Sequence, residues 1–421
     1  MFIRIDMELD EILRLAMKKG ASDVHLKAGI VPVIRLHSRL RPLDKDLTPL
    51  SASHIEEMAY TIMSASQKKH FKEHNDLDMG YGIAGLGRFR INVLLQRGTV
   101  RMVIRNIPHE IPSLEDLQLP TSLASVAEFE RGLVLVTGAT GSGKSSTLAA
   151  LINEINKTKN KHILMIEDPI EYLVRDRKSL ITQRELGTDT LSYSGALRAA
   201  LRQDPDVILI GEMRDKETIE IALLAAETGH LVFSTLHTID SMETINRILA
   251  AFEPHQQPQI RLQLASVLRA IVSQRLARTI DKKAFVPAVE ILIANQRIRE
   301  MIADATKTGD IKRAIEESGT SYGMQTFDQS LIQLVRKKKV SYNEALKLSS
   351  SPEDFAIRFA GVSAPSEENW SSEEYKSQRW EAFSNLEVEN VSVSDGDADS
   401  SHQGKASKPH KLSIRDKFKK S

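Results

Sequence analysis

The sequence contains no cysteine. That excludes disulfides, thiolate chemistry and any cysteine-ligated zinc element, and it fits a reducing, cytosolic compartment. Net charge is also nearly absent: 57 Lys and Arg stand against 56 Asp and Glu, leaving a formal charge of +1. Such a balance makes no general case for binding nucleic acid or a membrane surface. No apolar run approaches the roughly 20 residues that a membrane span needs. Charges interrupt the stretch from Met1 to Glu11, so it shows no signal-peptide pattern. A soluble chain is expected, at most peripheral to a membrane. What the sequence does have is 421 residues, 41% of them apolar, enough for two or three domains with cores of their own.

The chain is organised around Gly138-Ala139-Thr140-Gly141-Ser142-Gly143-Lys144-Ser145. The apolar run Leu133–Val136 before it reads as a buried strand, and the segment from Ser146 to Leu151 after it reads as helix. Strand, G-x-x-x-x-G-K-S, helix is the context that makes such a pattern a phosphate site. The glycines let backbone N–H groups turn inward, and the helix N-terminus adds partial positive charge where phosphates would sit. Lys144 is expected to reach the β- and γ-phosphates and the Ser145 hydroxyl to ligate Mg²⁺. The other reading, a glycine-rich turn that binds nothing, has both flanks against it. A nucleoside triphosphate is the expected ligand.

Ahead of this loop, Leu9, Ile12, Leu13, Ala16 and Met17 recur at helical spacing, and Gly20 stops that helix. Val24-His25-Leu26 and the segment from Val31 to Leu40 read as short strands, and residues 51–74 read as helical with Ile55, Met58, Ala59 and Ile62 on one face. Two alternating segments follow. Arg88, Arg90 and Asn92 oppose Phe89, Ile91 and Val93, and Arg101 and Arg105 oppose Val100, Met102 and Ile104. With the residues from Gln96 to Thr99 between them, they predict a hairpin with an arginine-rich face. That face is either a solvated sheet surface or a set of phosphate contacts to a neighbouring domain or subunit, since arginine matches phosphate oxygens bidentately. The proline-bearing stretch from Pro108 to Pro120 is the expected linker between a first domain, 1–107, and a second, 121–360.

After the phosphate loop, the segment from Lys161 to Ile166 is a buried-strand candidate that ends in Glu167-Asp168-Pro169-Ile170-Glu171. Carboxylates at the carboxyl end of a parallel strand lie where such sheets bind ligands, so these serve the Mg²⁺ shell or are ordinary loop acids. Val207–Ile210 is the next strand, and Glu212 falls just past its end, where a carboxylate can orient and deprotonate an attacking water. An ordinary Walker B strand would place Asp before that Glu; here the position is Gly211, and the pattern alone leaves the metal ligand open. The run from Leu231 to His237 supplies a fourth strand. His230 and His237 are expected beside the same sheet edge, each either structural or functional. The order of elements implies a RecA-like doubly wound sheet.

The run from Leu201 to Asp215 resembles the signature of the type II/IV secretion ATPases. With the segments Glu167–Glu171 and Thr228–Thr238, it looks like the Asp box, Walker B and His box of the type IV pilus retraction ATPases (PilT-like). The segments Gly20–Leu26 and Gly87–Asn92 match that family's N-terminal domain, and the resemblance spans about residues 5–350. It implies an α/β chain with an N-terminal PAS-like α+β domain, a RecA-like P-loop ATPase domain with a mostly parallel sheet, and a disordered tail. It further implies ATP and Mg²⁺ as cofactors and a cytoplasmic homohexamer, peripheral at the inner-membrane base of the pilus machine. There it would act on a pilus platform protein so that the fibre retracts, with no nucleic-acid partner. Carried over residue by residue, Lys144 and Ser145 are the Walker A pair, with the loop Gly138 to Gly143 and Ser146 around the nucleotide. Glu212 is the catalytic glutamate, Glu171 the Asp-box glutamate, and His230 and His237 the His-box pair. Ser145, Glu171 and Glu212 serve the metal, some through water. Gly211 is the family's expected residue, and Arg88, Arg90 and Arg105 lie in the region that meets nucleotide across subunits. Residues Ala294–Ile302 only approximate the family's Ala-Ile-Arg-Asn-Leu-Ile-Arg-like stretch, so a main retraction motor and an assisting PilU-like paralogue both fit. The four-cysteine zinc insertion usual in extension and secretion relatives is missing, which favours the retraction branch. Two rivals remain: a DNA-translocating RecA-like motor, and a nucleotide-binding regulator that does not hydrolyse.

Toward the C-terminus, residues 257–276 read as helix, 285–293 as strand, and three short helices follow to about Leu348 before Ser351-Pro352 breaks the pattern. Order is expected to end near Gly361. The segment beyond is rich in Ser, Glu and Asp, then basic from Lys405 to Lys420, and it cannot bury enough apolar surface to fold alone. Both tryptophans, Trp370 and Trp380, fall there, either by chance or as part of a docking segment.

Overall fold

Alternation builds the first sheet. The computed structural model describes residues 7–36, 39–107 and 110–361; the expectations for the tail, including Trp370, Trp380 and the basic end, lie outside the described residues. Strands β1 (Asp23–Leu26), β2 (Val33–Leu36), β3 (Arg39–Pro42), β4 (Asp76–Ile83), β5 (Gly87–Gln96) and β6 (Thr99–Ile107) form an antiparallel sheet in the order β3-β2-β1-β6-β5-β4. The β5–β6 hairpin is present as the alternation predicts: Gln96 pairs with Thr99 across Arg97 and Gly98. Both turn residues have positive φ (52° and 75°), the geometry that matches strand twist. Phe89, Ile91, Val93, Met102 and Ile104 are buried with Ile55, Met58 and Ala59, while Arg88, Arg90 and Asn92 take the other face.

Three helices flank this sheet: α1 (Leu9–Lys18), α2 (Ala52–Ile62) and α3 (Ala65–His74). The helical stretch expected over 51–74 is therefore two helices. Ser64 breaks it by accepting from the Gln67 N–H while the Gln67 side chain accepts from the Ser64 N–H, a reciprocal cap that starts a new helix.

The second sheet holds seven strands: β7 (Gly132–Thr137), β8 (His162–Glu167), β9 (Leu180–Glu185), β10 (Val207–Ile210), β11 (Leu231–Leu236), β12 (Leu268–Arg278) and β13 (Phe285–Ile293). Their order is β13-β12-β7-β11-β10-β8-β9, with every pair parallel except β12 and β13. Helices cover both faces, which is why β7, β10 and β11 are buried along their whole length and read as unbroken apolar runs. On one face α4 (Lys144–Thr158) and a 3₁₀ turn at Thr121–Glu128 pack against Val134, Val136 and Phe233. On the other, α5 (Tyr193–Ala200), α6 (Lys216–Glu227), α7 (Ser241–Ala250) and α8 (Gln257–Val267) pack against Leu133, Leu135 and Ile208. This is the doubly wound, RecA-like arrangement expected. None of the helices among the described residues is long and apolar enough to cross a membrane.

Three expectations need correction here. The helix read over 257–276 ends at Val267, and Leu268 enters β12. There Ala270, Ile271 and Val272 are fully buried between β7 and β13, a β-branched pair suiting a central strand. Strand β9 was not foreseen, because half-buried, polar Thr182-Gln183-Arg184 at a sheet edge carries little hydrophobic signal. Between β13 and Ser351 the described residues hold five α-helices where three were expected, and Pro352, expected to break the pattern, opens a further helix, Pro352–Phe359. These helices bury Phe327, Leu331 and Phe355 against Val286 and Ala288, as core. Within the proline-bearing stretch, Leu119 is buried and Ile111, Leu114 and Leu117 pack against the second sheet's cluster.

Candidate nucleotide site

The phosphate loop leaves β7 at Thr137 and enters α4 at Lys144. Gly138 has φ of 139°, and a Cβ there would lie 2.5 Å from the Gln274 carbonyl oxygen and 2.6 Å from Ser142 Oγ. Only glycine meets both conditions. Lys144 is buried, and its Nζ donates to the carbonyls of Gly138 (2.8 Å) and Ala139 (3.1 Å). Burial pushes its ammonium pKa down, and the charge of Glu212 offsets part of that. Ser142 Oγ and Gln274 Oε1 are buried without a hydrogen-bond partner, while Gln274 Nε2 donates to Thr147 Oγ1 at 2.9 Å. A helix N-terminus with a buried lysine and an unpaired hydroxyl fits an incoming anion.

The carboxylates stand at the same edge. Glu212 follows β10 by two residues; its Oε2 accepts from Arg214 Nε at 2.7 Å and its Oε1 lies 3.2 Å from His237 Nε2. His237 follows β11 directly, and Thr235 Oγ1 donates to the Gly211 carbonyl at 2.7 Å, tying the two strand ends together. The glycine that breaks the ordinary Walker B pattern also has a packing reason. A Cβ at 211 would lie 3.0 Å from Tyr193 Oη, 3.2 Å from the Ile166 carbonyl and 3.3 Å from Glu167 Cα. Beside it a small cavity is lined by Ser145, Glu167, Tyr172, Gly211 and Thr235. Burial pushes the Glu167 carboxyl up to about 7, against the pull of hydrogen bonds from Gln183 and the Glu171 N–H, and the charges of Glu171 and Glu185 push the same way as burial. Glu171 itself is exposed, and its neighbour Tyr172 places its hydroxyl 2.9 Å from Ser146 Oγ.

The two histidines do not share an edge, contrary to expectation. His230 precedes β11 and His237 follows it, so they are separated by a full strand, roughly 20 Å at the usual rise per residue. His230 Nδ1 instead lies 2.9 Å from the Ala225 carbonyl and 3.2 Å from Thr228 Oγ1.

The arginine face divides in three. Arg88 pairs with Glu185 of β9 at 2.7 Å. Arg90 lies 3.7 Å from Asp78 and lines a cleft of about 740 Å³ with Arg214, Asp168 and His70. Arg105 turns back to Asp23 of β1 at 3.0 Å. Arg88 and Arg90 thus face their own chain's second sheet, and Arg105 stays within the first. Sequence reasoning singled out neither Gln274, lying where helix was expected, nor Glu185, on the unforeseen strand. Arg214 stood in the signature run without a role.

A family model described as type II/IV secretion system protein matches residues 3–345. The chain is 43% identical over 349 residues to the type IV pilus retractation ATPase PilT of Pseudomonas aeruginosa, covering 83% of this chain and 100% of that protein. It is 39% identical over 353 residues to the type IV pilus ATPase PilU of the same organism, covering 83% and 91%. Among solved structures, the pilus retraction motor PilT with bound ADP matches with a TM-score of 0.76 at 43% identity, covering 83% of this chain and 98% of that one.

Proposed function

We propose that this chain, which belongs to the type II/IV secretion system protein family and is an ATPase of it, is a motor that hydrolyses ATP to drive type IV pilus retraction. The observation that carries this reading is Glu212, held by Arg214 and His237 across the sheet edge from Lys144 and the phosphate loop. Lys144 leaves the loop carbonyls and takes up the β- and γ-phosphates. Glu212 orders a water and accepts its proton as the oxygen attacks the γ-phosphorus and the bond to ADP breaks. His237 and Arg214 keep the two oxygens of that carboxylate in place.

Among the described residues no group of three or more His, Asp or Glu is arranged to hold a metal. Ser145 would hold Mg²⁺ together with the phosphates, and Glu212, Glu171 and the cavity-lining Glu167 would serve it, some through water. When bound it neutralises the charge that develops on the phosphates. Of the arginines on that face, Arg90 is the candidate for a phosphate contact, supported by its opening onto the cleft with Arg214 and Asp168, whereas Arg88 is committed to Glu185. The homohexameric ring, the division into 1–107 and 121–360, the inner-membrane platform partner and the cytoplasmic site at the pilus base belong to the same proposal. The identity to PilU and the approximate fit of Ala294–Ile302 support a second reading, an accessory motor beside a main one.

The test is Mg²⁺-dependent ATP turnover by purified protein. Glu212→Gln should keep ATP binding and lose about 10²–10⁴-fold in turnover; near-normal turnover refutes its role. Cells lacking the gene should be hyperpiliated with fibres that do not retract, and normal retraction there would point to the accessory reading.

A further inference from the structure

Glu185 ends β9 and is paired in the parallel ladder with Glu167. Its side chain is 3% exposed. A single oxygen of it serves two distant parts of the chain: Oε2 accepts from Arg88 Nη2 at 2.7 Å and from the Ile170 N–H at 3.2 Å. Arg88 comes from β5 of the first sheet. Ile170 immediately precedes Glu171, and the same loop runs on to Tyr172 and its contact with Ser146 on α4. Three contacts therefore join the first sheet to the phosphate-loop helix through one carboxylate.

The fit around the pair is close. A Cβ at Gly80 on β4 would come within 2.6 Å of both Arg88 Nη2 and Glu185 Oε1, so the strand admits the pair only because residue 80 has no side chain. A carboxylate this buried needs its cation: with Arg88 withdrawn, Glu185 would stand unpaired beside Glu167.

We propose that Glu185 is a positioning residue of the ATPase site: Arg88 holds its carboxylate against the Ile170 amide, so docking of the first sheet sets the loop that presents Glu171 and Tyr172. The inference rests on the ATPase reading above and assigns Arg88 to Glu185 and not to the nucleotide. Movement of the first sheet away from the second then removes Arg88, frees the loop and lowers turnover in one event. Nucleotide affinity, set chiefly by Lys144 and the glycine loop, changes little.

The full chain and its Arg88→Ala, Glu185→Gln and doubly substituted variants test this, with melting temperatures confirming that each folds. Amide exchange at Ile170–Tyr172 should quicken about tenfold in Arg88→Ala. Turnover should fall about tenfold in either single variant and no further in the double, while the dissociation constant for a fluorescent ADP moves less than about threefold. Unchanged exchange at Ile170 in Arg88→Ala overturns the proposal, as do turnover losses that multiply in the double variant. Weakened ADP binding in Arg88→Ala but not in Glu185→Gln also overturns it, by placing Arg88 on the nucleotide. Should Arg88→Ala fail to fold, Arg88→Gln supplies the same readouts. A wild type without turnover sinks the ATPase reading instead, and the exchange measurement still reports on the link.

Discussion

The two sheets use polar residues in opposite ways. In the antiparallel sheet they are spread along the strands: Arg90 with Asp78 and Arg105 with Asp23 pair between neighbouring strands, and Arg88 reaches the second sheet. In the parallel sheet, β7, β10 and β11 are buried from end to end, and the polar groups of the candidate site gather beyond or at strand ends: Lys144, Glu167, Glu212 and His237. Antiparallel hairpins can leave one face wet, whereas crossover helices cover both faces of a parallel sheet and leave only its edge. A side chain on the first sheet takes its meaning from what it faces, and one on the second from how far it lies from a strand end.

The strongest way to break the comparison is to hollow out each sheet in turn. Phe233→Ala on β11 and Phe89→Ala on β5 each remove a fully buried ring and should cost about 3–5 kcal/mol. If the sheets are separate domains, urea unfolding of Phe89→Ala will lose the first sheet early while ADP binding persists, and Phe233→Ala will lose binding with its core. A single joint transition in Phe89→Ala would show that the two unfold as one.

Acid and base sharpen the contrast with a change of sign. Burial pushes the Asp23 carboxyl up, but hydrogen bonds from Arg105 and Ser22 and the charges of Arg105 and Arg35 outweigh it and hold its pKa low. The stability this contributes is complete above the ordinary value of 3.8 and is lost as pH falls through the lower folded value. Glu290 on β13 shows the reverse: burial pushes its pKa up, against its bonds from Ser241. Its folded form holds the proton more tightly, so stability is greatest below 4.5 and declines as pH rises to the raised value. Urea midpoints across pH should therefore lose their acid-side fall in Asp23→Asn and their fall above 4.5 in Glu290→Gln. Matching slopes in both variants would erase the distinction.

The smallest effect concerns the break between α2 and α3. Ser64→Ala removes one half of the reciprocal cap and should lower stability by about 1 kcal/mol without altering nucleotide binding. No measurable change would mean that the packing of Phe71, not the cap, ends one helix and starts the next.

Residues close together in sequence were the legible ones. The phosphate loop, the Arg97-Gly98 hairpin and the alternating faces of β5 and β6 depend on backbone conformation and on neighbours two to four positions away, and the order of strands and helices implied a doubly wound sheet. The strand at Leu268–Arg278 has the opposite property: it is a strand because β7 and β13 lie on either side of it, which no local pattern carries. The parting of His230 and His237, by contrast, follows from the strand Leu231–Leu236 between them, which was itself legible.

The sequence by itself determined that a strand delivers Gly138–Ser145 to a helix N-terminus, and that Glu212 follows another strand by two residues, since chain connectivity and local backbone geometry suffice for both. Only the tertiary structure decided that Arg88 meets Glu185, that Glu212 lies between Arg214 and His237, and that no side chain fits comfortably at Gly211. Those outcomes depend on which strands become neighbours and in what register. That choice belongs to the burial of whole sheet faces and is written in no short stretch of residues.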